Sequence, residues 1–453
     1  MNPLTLSQLA EMSGAIQLAG DPAATALRIS TDTRSLLPGD LYVAIKGEFH
    51  DGNGFVAEAA SKGAVGALCD KEVPVALPKE FGVLLTSDSL SGLTLMASAW
   101  RSQLALKSIV VTGSSGKTST KDFTTAVLRK GLRVTSTVGN LNNHIGLPLS
   151  VLSAVREDEA AVWEIGMNHP GEISPLAGLA QPQIAIITGI GTAHIEHLGS
   201  REEIAREKGD LLEKLPATGI GIIPFEDDFK RQLRLRTTAR ILEVGIESGD
   251  LRAVNLASEG NGSRFEISGE FGRCEAYLPV PGKHMVRNAL LAVAAGLLCD
   301  ISLGDCALAL GEIKPSKGRL SRETRRGICL IDDTYNANPD SMVAALETLR
   351  SIQGSGRKIA VLGMMGELGE HAVEGYMRVG NTAASMCDIL VCIGEEASIM
   401  ARSAIGKGLI DVHVVSDNKD AARLLSSFAL SGDMILFKGS RSAKLEEVIQ
   451  YFS

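Results

Sequence analysis

Residues Val110–Thr120 read VVTGSSGKTST, and this stretch decides the fold of the chain. The β-branched run Ile109–Val111 predicts a buried strand, the glycines that follow predict a tight turn, and the residues after Lys117 predict a helix. Such a unit places backbone amides and a lysine where they can bind the phosphates of a nucleotide. The predicted contacts are Gly113, Ser114, Ser115, Gly116, Lys117, Thr118 and Ser119.

Lys117 is expected on the β and γ phosphates, and the Thr118 hydroxyl on Mg²⁺. Val111 stands at the first glycine of the usual eight-residue pattern, so the literal motif is not met. The alternative is a glycine turn with an incidental lysine. The strand, turn and helix all fall where phosphate binding needs them, and we therefore predict a nucleotide site.

Strands and helices alternate on both sides of this loop. Apolar runs at Ala160–Ile165 and Gln183–Thr188 precede a helical stretch at Arg201–Leu215, which is the pattern of a parallel sheet covered by helices. The segment Arg252–Val280 predicts antiparallel strands added to that sheet. Further strands are predicted at Ile328–Asp332, Lys358–Gly363, Asp388–Gly394, Asp411–Val415 and Asp433–Lys438.

The length of 453 residues exceeds the roughly 250 to 300 that one hydrophobic core supports, so we expect several domains. The predicted class is α/β with three domains. Residues 1–88 form a small α/β domain, residues 89–313 a central parallel-sheet domain with the phosphate loop, and residues 314–453 a doubly wound, Rossmann-like domain. Lys314–Lys317 is the predicted linker.

Composition limits the class of protein further. The chain is 45% hydrophobic and 22% charged, with a formal net charge of -8, so it has no overall basic field for nucleic acid. Seven scattered cysteines predict reduced thiols in a cytoplasmic protein. The start of the chain lacks a signal-peptide pattern. The sequence also contains no 18-residue uncharged apolar run of the kind that predicts a membrane span.

Three further residues are candidates for the chemistry. Glu164 ends a predicted strand, where a carboxylate can reach Mg²⁺ on a nucleotide, although acidic residues at strand ends are often structural. His194 follows the next strand in a polar loop, and its alternative is an ordinary loop residue. Lys208 lies among glutamates on a predicted helix, and its alternative is a solvated charged face.

Five segments together resemble the Mur ligases in order and spacing. They are GSSGKTST, EIGMNHPGEI at Glu164–Ile173, AHIEHLGSREEIAREKGDLL at Ala193–Leu212, PGKHMVRNALLAVAA at Pro281–Ala295 and DDTYNANPDS at Asp332–Ser341. The resemblance covers nearly the whole chain. STVGNLNNHIGLPLS at Ser136–Ser150, the AHIE form of the histidine loop, YNANPDS and VLGMMGELGE at Val361–Glu370 are most similar to the member that adds D-alanyl-D-alanine.

The resemblance implies an ATP-dependent ligase that joins D-alanyl-D-alanine to the terminal carboxylate of a UDP-N-acetylmuramoyl-tripeptide, in peptidoglycan precursor synthesis. It implies two Mg²⁺ ions, held by Thr118, Glu164, His194 and Lys208, with Lys208 as a lysine that some members carbamylate. Asn288 would face the adenine, Arg319 the phosphates and Asp333 the ribose. The protein is expected to be a monomer without nucleic-acid or membrane partners.

The resemblance also implies substrate contacts. The segment Ser30–Phe55 is similar to a UDP-binding segment. The expected substrate residues are Ser30, Thr31, Asp32, Arg34, Asp51, Asn140, Asn142, Asn143, Asn336, Asn338, Lys438, Ser440 and Arg441. The asparagine amides would hydrogen-bond the peptide groups of the dipeptide.

Two positions depart from the family pattern. Gly189 stands where an asparagine is usual, and Tyr376 and Met377 occupy a region that often carries histidine. Three alternatives stay open: a sibling ligase for another amino acid, a folylpolyglutamate synthetase, and a nucleotide-binding scaffold without turnover. The N-terminal segment argues against the second, and the presence of Glu164, His194 and Lys208 argues against the third.

Overall fold

The structure is a computed structural model that describes residues 1–73 and 76–452. Within those residues the strands form three large sheets and one two-stranded pair. Helices cover the sheets, so the predicted α/β class is confirmed. The large sheets follow one another along the chain, at residues 16–85, 107–278 and 321–438. The predicted domain boundaries fall between them and stay predictions.

The N-terminal region is a small, mostly parallel sheet with helices beside it. Its elements are β1 (Leu4–Thr5), α1 (Leu6–Ser13), β2 (Ile16–Ala19), β3 (Thr25–Ala26), β4 (Arg28–Ser30), β5 (Asp40–Val43), α2 (Val56–Ser61), β6 (Gly66–Cys69) and β7 (Gly82–Leu85), with a 3-10 turn at Gly52–Phe55. The sheet order is β2-β7-β6-β5-β4, and β1 pairs with β3. Only the edge strand β2 runs antiparallel to its neighbour in the large sheet.

The central region is built around the phosphate loop. Its elements are α3 (Ser89–Arg101), β8 (Lys107–Thr112), α4 (Lys117–Leu128), β9 (Val134–Ser136), α5 (Gly146–Ser153), β10 (Ala160–Glu164), α6 (Ile173–Ala180), β11 (Ile184–Ile187), α7 (Ile195–Leu198), α8 (Arg201–Glu213), β12 (Ile220–Pro224), α9 (Lys230–Arg234), β13 (Arg240–Ile246), β14 (Leu251–Glu259), β15 (Gly262–Gly269), β16 (Gly272–Leu278), α10 (Lys283–Leu298) and α11 (Leu303–Gly311). The sheet order is β16-β15-β14-β13-β12-β11-β8-β10-β9.

This strand order explains where the site lies. Strand β8 is central, with β11 on one side and β10 on the other, and all three are parallel. Ligands of such sheets bind at the carboxyl ends of strands where the order reverses. The phosphate loop, Glu164 and the histidine loop all follow the carboxyl ends of these strands. Strands β14 to β16 pair antiparallel, as predicted for Arg252–Val280.

The C-terminal region is a mostly parallel sheet between helices. Its elements are β17 (Ser321–Arg325), β18 (Ile328–Asp332), α12 (Pro339–Ser351), β19 (Lys358–Leu362), α13 (Ala372–Met386), β20 (Ile389–Ile393), α14 (Ser398–Gly406), β21 (Asp411–Val415), α15 (Asn418–Phe428), β22 (Met434–Lys438) and α16 (Glu446–Tyr451), with 3-10 turns at Gly369–His371 and Arg441–Ala443. The order is β17-β18-β22-β19-β20-β21, with β17 antiparallel to β18.

The hydrophobic core connects the three regions. One cluster of buried side chains extends from Leu4 to Leu436 and includes Trp100, whose indole N–H donates to the Ala154 carbonyl at 3.0 Å. All seven cysteines are free, and five of them are buried. Burial raises the pKa of the Cys69, Cys306, Cys387 and Cys392 thiols to about 12. No helix in the described part of the chain has the length and apolar character that crossing a membrane requires.

Candidate active site

A cleft of about 540 Å³ lies between the central and C-terminal sheets. Most residues predicted for the nucleotide, the metal and the dipeptide line it together. They are Ser114, Ser115, Gly116, Lys117, Thr118, Ser119, Asn140, Asn142, Asn143, Glu164, His194, Asn288, Arg319, Asp333, Asn336, Asn338 and Lys438. The cleft therefore brings together segments that are far apart in the sequence.

The phosphate loop requires its two glycines. Gly113 and Gly116 have positive φ, 147° and 85°. A Cβ at Gly113 would lie 2.0 Å from the Thr188 hydroxyl oxygen, and one at Gly116 would lie 2.8 Å from the Asn288 amide. Helix α4 begins at Lys117, so the loop ends at a helix N-terminus, which favours anions.

The Lys117 side chain folds back onto the phosphate loop. Its Nζ donates to the Gly113 carbonyl at 2.9 Å, and burial lowers the pKa of this amine. The next residue, Thr118, is contacted from the other side of the cleft, because Arg319 Nη2 donates to its hydroxyl oxygen at 2.9 Å. The Arg319 guanidinium lies 4.2 Å from the ring centroid of Tyr335. A nucleotide in this cleft would therefore meet cations from both domains.

Glu164 ends strand β10 and is 2% exposed. Its Oε1 accepts from the Asn142 amide at 2.8 Å, while its Oε2 is buried without a hydrogen-bond partner. A buried carboxylate oxygen without a partner is costly unless a cation or a donor reaches it. This oxygen is consequently a suitable ligand for a divalent cation.

Lys208 is completely buried on helix α8, and the alternative of a solvated face is wrong. Its Nζ has no hydrogen-bond partner. Burial, together with the neighbouring charge of Lys117, lowers the pKa of this amine well below its ordinary value. Glu207 does not pair with it and instead accepts from the Gly171 and Ile173 backbone N–H groups at 2.8 and 3.0 Å.

His194 precedes helix α7 and has a left-handed backbone, with φ 64°. Its Nδ1 lies 2.5 Å from the Glu367 carboxylate, which belongs to the C-terminal domain. Burial lowers the pKa of the imidazole, and the contact with His194 lowers the pKa of Glu367. Across the described ranges no three His, Cys, Asp or Glu side chains gather as a metal cluster, so any cation here also needs other ligands.

On the C-terminal wall, the buried Lys438 pairs with the partly buried Asp333 at 2.6 Å. Lys438 Nζ also donates to the Asn336 carbonyl at 3.0 Å. Asn338 caps helix α12, and its amide nitrogen donates to the Ser115 hydroxyl at 3.1 Å. Several predicted polar groups thus hold the two walls of the cleft together.

Some predicted residues lie elsewhere. Four of them do not line the cleft: Gly113, Lys208, Ser440 and Arg441. Arg441 instead pairs with Glu446 at 2.7 Å. The predicted uridine residues belong to the N-terminal domain. They are Ser30, Thr31, Asp32, Arg34 and Asp51. Asp32 pairs with the exposed Arg34 at 2.7 Å, which lowers the pKa of Asp32 to about 2.

Sequence reasoning did not single out a large part of the lining, including His284, Arg287, Tyr335, Asp340 and Glu367. All five lie in segments that had been quoted for the resemblance, so the signal was their position within those motifs. Their contacts across the cleft were not visible in the sequence.

The positions that depart from the family pattern have local structural roles. Gly189 has φ 140°, and its carbonyl accepts from the Ser114 N–H at 2.9 Å, so it supports the phosphate loop. The Tyr376 hydroxyl is buried and accepts from the Met365 N–H at 2.9 Å. Met377 is 47% exposed.

The fold and the cleft define a nucleotide-using enzyme with a phosphate loop. Comparison with known families is more specific: residues 111–296 match the Mur ligase middle domain, and residues 318–441 match the glutamate ligase domain of Mur ligases. The chain belongs to the Mur ligase family. It is therefore an ATP-dependent, amide-forming ligase, as the sequence predicted.

Individual relatives are similar along nearly their whole length. A UDP-N-acetylmuramoyl-tripeptide--D-alanyl-D-alanine ligase of Bacillus subtilis is 37% identical over 93% of this chain and 92% of its own. The Escherichia coli enzyme of that name is 33% identical over 99% of this chain and 98% of its own. A crystal structure of MurF from Acinetobacter baumannii has a TM-score of 0.92 at 32% identity, covering 100% of this chain and 99% of the other. MurF of Thermotoga maritima, solved with ADP, has a TM-score of 0.84 at 26% identity, covering 94% of this chain and 96% of the other.

Proposed function

We propose that this chain uses ATP to join D-alanyl-D-alanine to the terminal carboxylate of UDP-N-acetylmuramoyl-tripeptide. The observation that carries the proposal is the cleft, whose lining combines the phosphate loop and Glu164 with asparagine amides from both domains. The names of the full-length relatives support the same reaction. A diaminopimelate ligase of the family is only 16% identical, with a TM-score of 0.54, and supports the fold alone.

Amide formation from a carboxylate is uphill in water, so the carboxylate must first be activated. A carboxylate oxygen of the tripeptide attacks the γ-phosphorus of ATP, ADP leaves, and an acyl phosphate forms. The amine of the dipeptide then attacks the acyl carbon, phosphate leaves with the C–O electron pair, and the nitrogen loses a proton. Lys117 and Arg319 stabilise the charge on the transferring phosphoryl group from opposite walls of the cleft.

We infer that two Mg²⁺ ions assist this transfer. Thr118, Glu164, His194 and a modified Lys208 are the proposed protein ligands. The unpaired Glu164 Oε2 supports this assignment, and Mg²⁺ commonly needs only one or two carboxylates besides water and phosphate oxygens. The ions would neutralise charge on the phosphates.

We also infer that Lys208 is carbamylated. A neutral amine is the nucleophile toward CO₂, and burial favours the neutral form of Lys208. The reaction forms an N–C bond and releases one proton, which leaves an anionic carbamate near Lys117. The neighbouring Lys117 and the unpaired Lys208 Nζ both support this modification.

The dipeptide is proposed to bind along the asparagine wall. A dipeptide has an internal amide, and a site built around it rejects donors that lack it, because the polar groups of the site would be left unpaired. Four asparagines line the cleft, and each already makes at least one internal hydrogen bond that holds its side chain in place: Asn142, Asn143, Asn336 and Asn338. The UDP moiety is proposed to bind at Ser30, Thr31, Asp32, Arg34 and Asp51.

The deciding experiment measures ADP release with a panel of UDP-muramoyl peptides and amine donors. We expect turnover only with the tripeptide and D-alanyl-D-alanine together, and almost none with D-alanine, L-lysine or diaminopimelate. Faster release with the UDP-muramoyl dipeptide and either L-lysine or diaminopimelate would favour a sibling ligase. We further propose that the protein acts as a cytoplasmic monomer, which light scattering and cell fractionation would test.

A further inference from the structure

Two residues with unusual backbone conformations meet across the domain interface. His194 has φ 64° and Glu367 has φ 60°, a left-handed region that is uncommon outside glycine, although histidine adopts it more often than glutamate does. Their side chains are in contact, with His194 Nδ1 2.5 Å from Glu367 Oε2, although this contact lacks the alignment of a hydrogen bond. Strained backbone at paired positions persists only where the surroundings enforce it, and such positions cluster at functional sites.

Neighbouring residues hold the backbones of His194 and Glu367 in this conformation. The Glu196 N–H donates to the Glu367 carbonyl at 3.2 Å, so the two loops are joined by their backbones. Gly369 packs so closely that a Cβ there would lie 3.0 Å from Glu196 Cγ and 3.4 Å from its Cα. His371 Nε2 lies 3.2 Å from the Gly199 carbonyl. The loop after strand β19 is thus fitted against the residues that follow His194.

The start of the histidine loop, which runs from Thr192 to His197, is also bound to neighbouring elements. Asp340 of helix α12 accepts from the Thr192 N–H at 2.7 Å and from the Thr192 hydroxyl at 2.9 Å. One residue earlier, the Gly191 N–H donates to the Ser114 hydroxyl of the phosphate loop at 2.8 Å. The histidine loop therefore lies between the phosphate loop and the C-terminal domain, and contacts both.

We propose that Glu367 is a positioning residue that orients His194 only when the C-terminal domain is packed against the central one. Once the two side chains align, its carboxylate accepts the ring proton of Nδ1 and leaves Nε2 as the nitrogen available to the cleft, an arrangement that typically orients metal-binding histidines. The proposal rests on the proposed function, in which His194 is a metal ligand. Closure of the C-terminal domain, which carries Asn336 and Asn338, would thereby complete the metal site on the central domain.

The test uses Glu367→Gly, because glycine accepts the positive φ and the variant should fold. Glu247 has φ 66° and is exposed away from the cleft, so Glu247→Gly is a matched control for the backbone effect. We expect both variants to melt at or above the temperature of the wild type. Glu367→Gly should lower kcat about 10- to 100-fold, with KM for ATP changed less than about threefold, whereas Glu247→Gly should keep wild-type kcat.

A second measurement does not depend on turnover. Mn²⁺ binding in the presence of saturating ADP, followed by electron paramagnetic resonance, should weaken at least about tenfold in Glu367→Gly and in His194→Ala. Glu367→Gln keeps an oxygen acceptor and should recover most of the affinity. Equal Mn²⁺ affinity in Glu367→Gly and the wild type, or a fall in melting temperature that accounts for the lost kcat, would overturn the proposal.

Failure of the proposed function gives a different result. If the wild type released no ADP with the tripeptide nucleotide and D-alanyl-D-alanine, the substrate assignment would be wrong. The effect of Glu367→Gly on Mn²⁺ affinity would still be measurable in that case, and its presence or absence would decide the positioning role separately.

Discussion

The guanidinium of Arg319 donates a hydrogen bond to the Thr118 hydroxyl, at 2.9 Å, across the cleft that separates the central and C-terminal sheets. The hydroxyl that is proposed to bind Mg²⁺ is therefore already bound by a cation from the other domain. If Mg²⁺ binds this hydroxyl, we expect the guanidinium to release it and to meet the phosphates instead. Tyr335, 4.2 Å from the guanidinium, provides a face that holds it nearby.

We predict that Arg319→Ala lowers kcat/KM for ATP by about 100-fold, since one preorganised donor to a developing negative charge contributes about that much. Arg319→Lys should recover only part of the lost kcat/KM, because an ammonium lacks the planar face that stacks on Tyr335. Arg350→Ala is the control, since Arg350 is half exposed and pairs distantly with Asp388 at 3.8 Å. Wild-type kinetics in Arg319→Ala would contradict the role.

Lys117→Ala should abolish turnover while the fold survives. The substitution removes the cation nearest the β and γ phosphates, a loss of several kcal/mol of transition-state stabilisation. Steady-state ADP release and a thermal melt measure the two effects, with Lys107→Ala as the control on a half-exposed lysine of the same domain. More than a tenth of the wild-type rate would show that the phosphate-loop assignment is wrong.

Lys208→Ala should inactivate the enzyme, and acetate should restore part of the activity if the functional group is a carbamate. Lys208→Met is the matched control: it fills the buried space and leaves no room for acetate, so it should stay inactive. ADP release with increasing acetate distinguishes the two variants. An alanine variant as active as the wild type would exclude Lys208 from the mechanism.

Stability should fall in acid partly because of His284. Burial, with Arg287 and Lys438 nearby, lowers the pKa of His284 from 6.5 to about 3. Between these pH values the unfolded chain binds the extra proton and the folded chain does not, so the free energy of unfolding decreases as the pH falls. The decrease from this group is at most about 1.4 kcal/mol per pH unit.

His284→Gln removes that group, so its melting temperature should fall less between pH 6.5 and pH 5 than that of the wild type. Thermal melts of both proteins in matched buffers at the two pH values measure the difference. Parallel losses would mean that His284 titrates normally in the folded protein.

Local patterns predicted the parallel strands and the phosphate loop well, because each depends on a few neighbouring residues. Strand β17, with the sequence SRETR, was missed because it is a polar, largely exposed edge strand without apolar alternation. The sequence allowed Lys208 to be interpreted as part of a solvated, charged helix face, because charged residues are its neighbours along the chain. Yet the buried positions Ile204, Ala205, Leu211 and Leu212 define the inner face of α8, and the spacing places Lys208 on that face.

Pairings between distant segments could not be predicted in this way. Nothing in the residues around Glu367 shows that it meets His194, and nothing around Asn338 shows that it caps a helix and binds Ser115 at once. Such contacts depend on how two domains pack, which is set by the whole interface rather than by a motif. The candidate ligands were therefore predicted, but the groups that orient them were not.

The buried thiols give the protein a built-in reporter of local opening. Thiolate is the reactive form, so Cys69, Cys306 and Cys392 are almost inert to alkylating reagents while their surroundings stay folded. Each lies in a different one of the three sheet-based regions. The order in which mass spectrometry finds these cysteines labelled in increasing urea would thus record which region unfolds first, without any added probe.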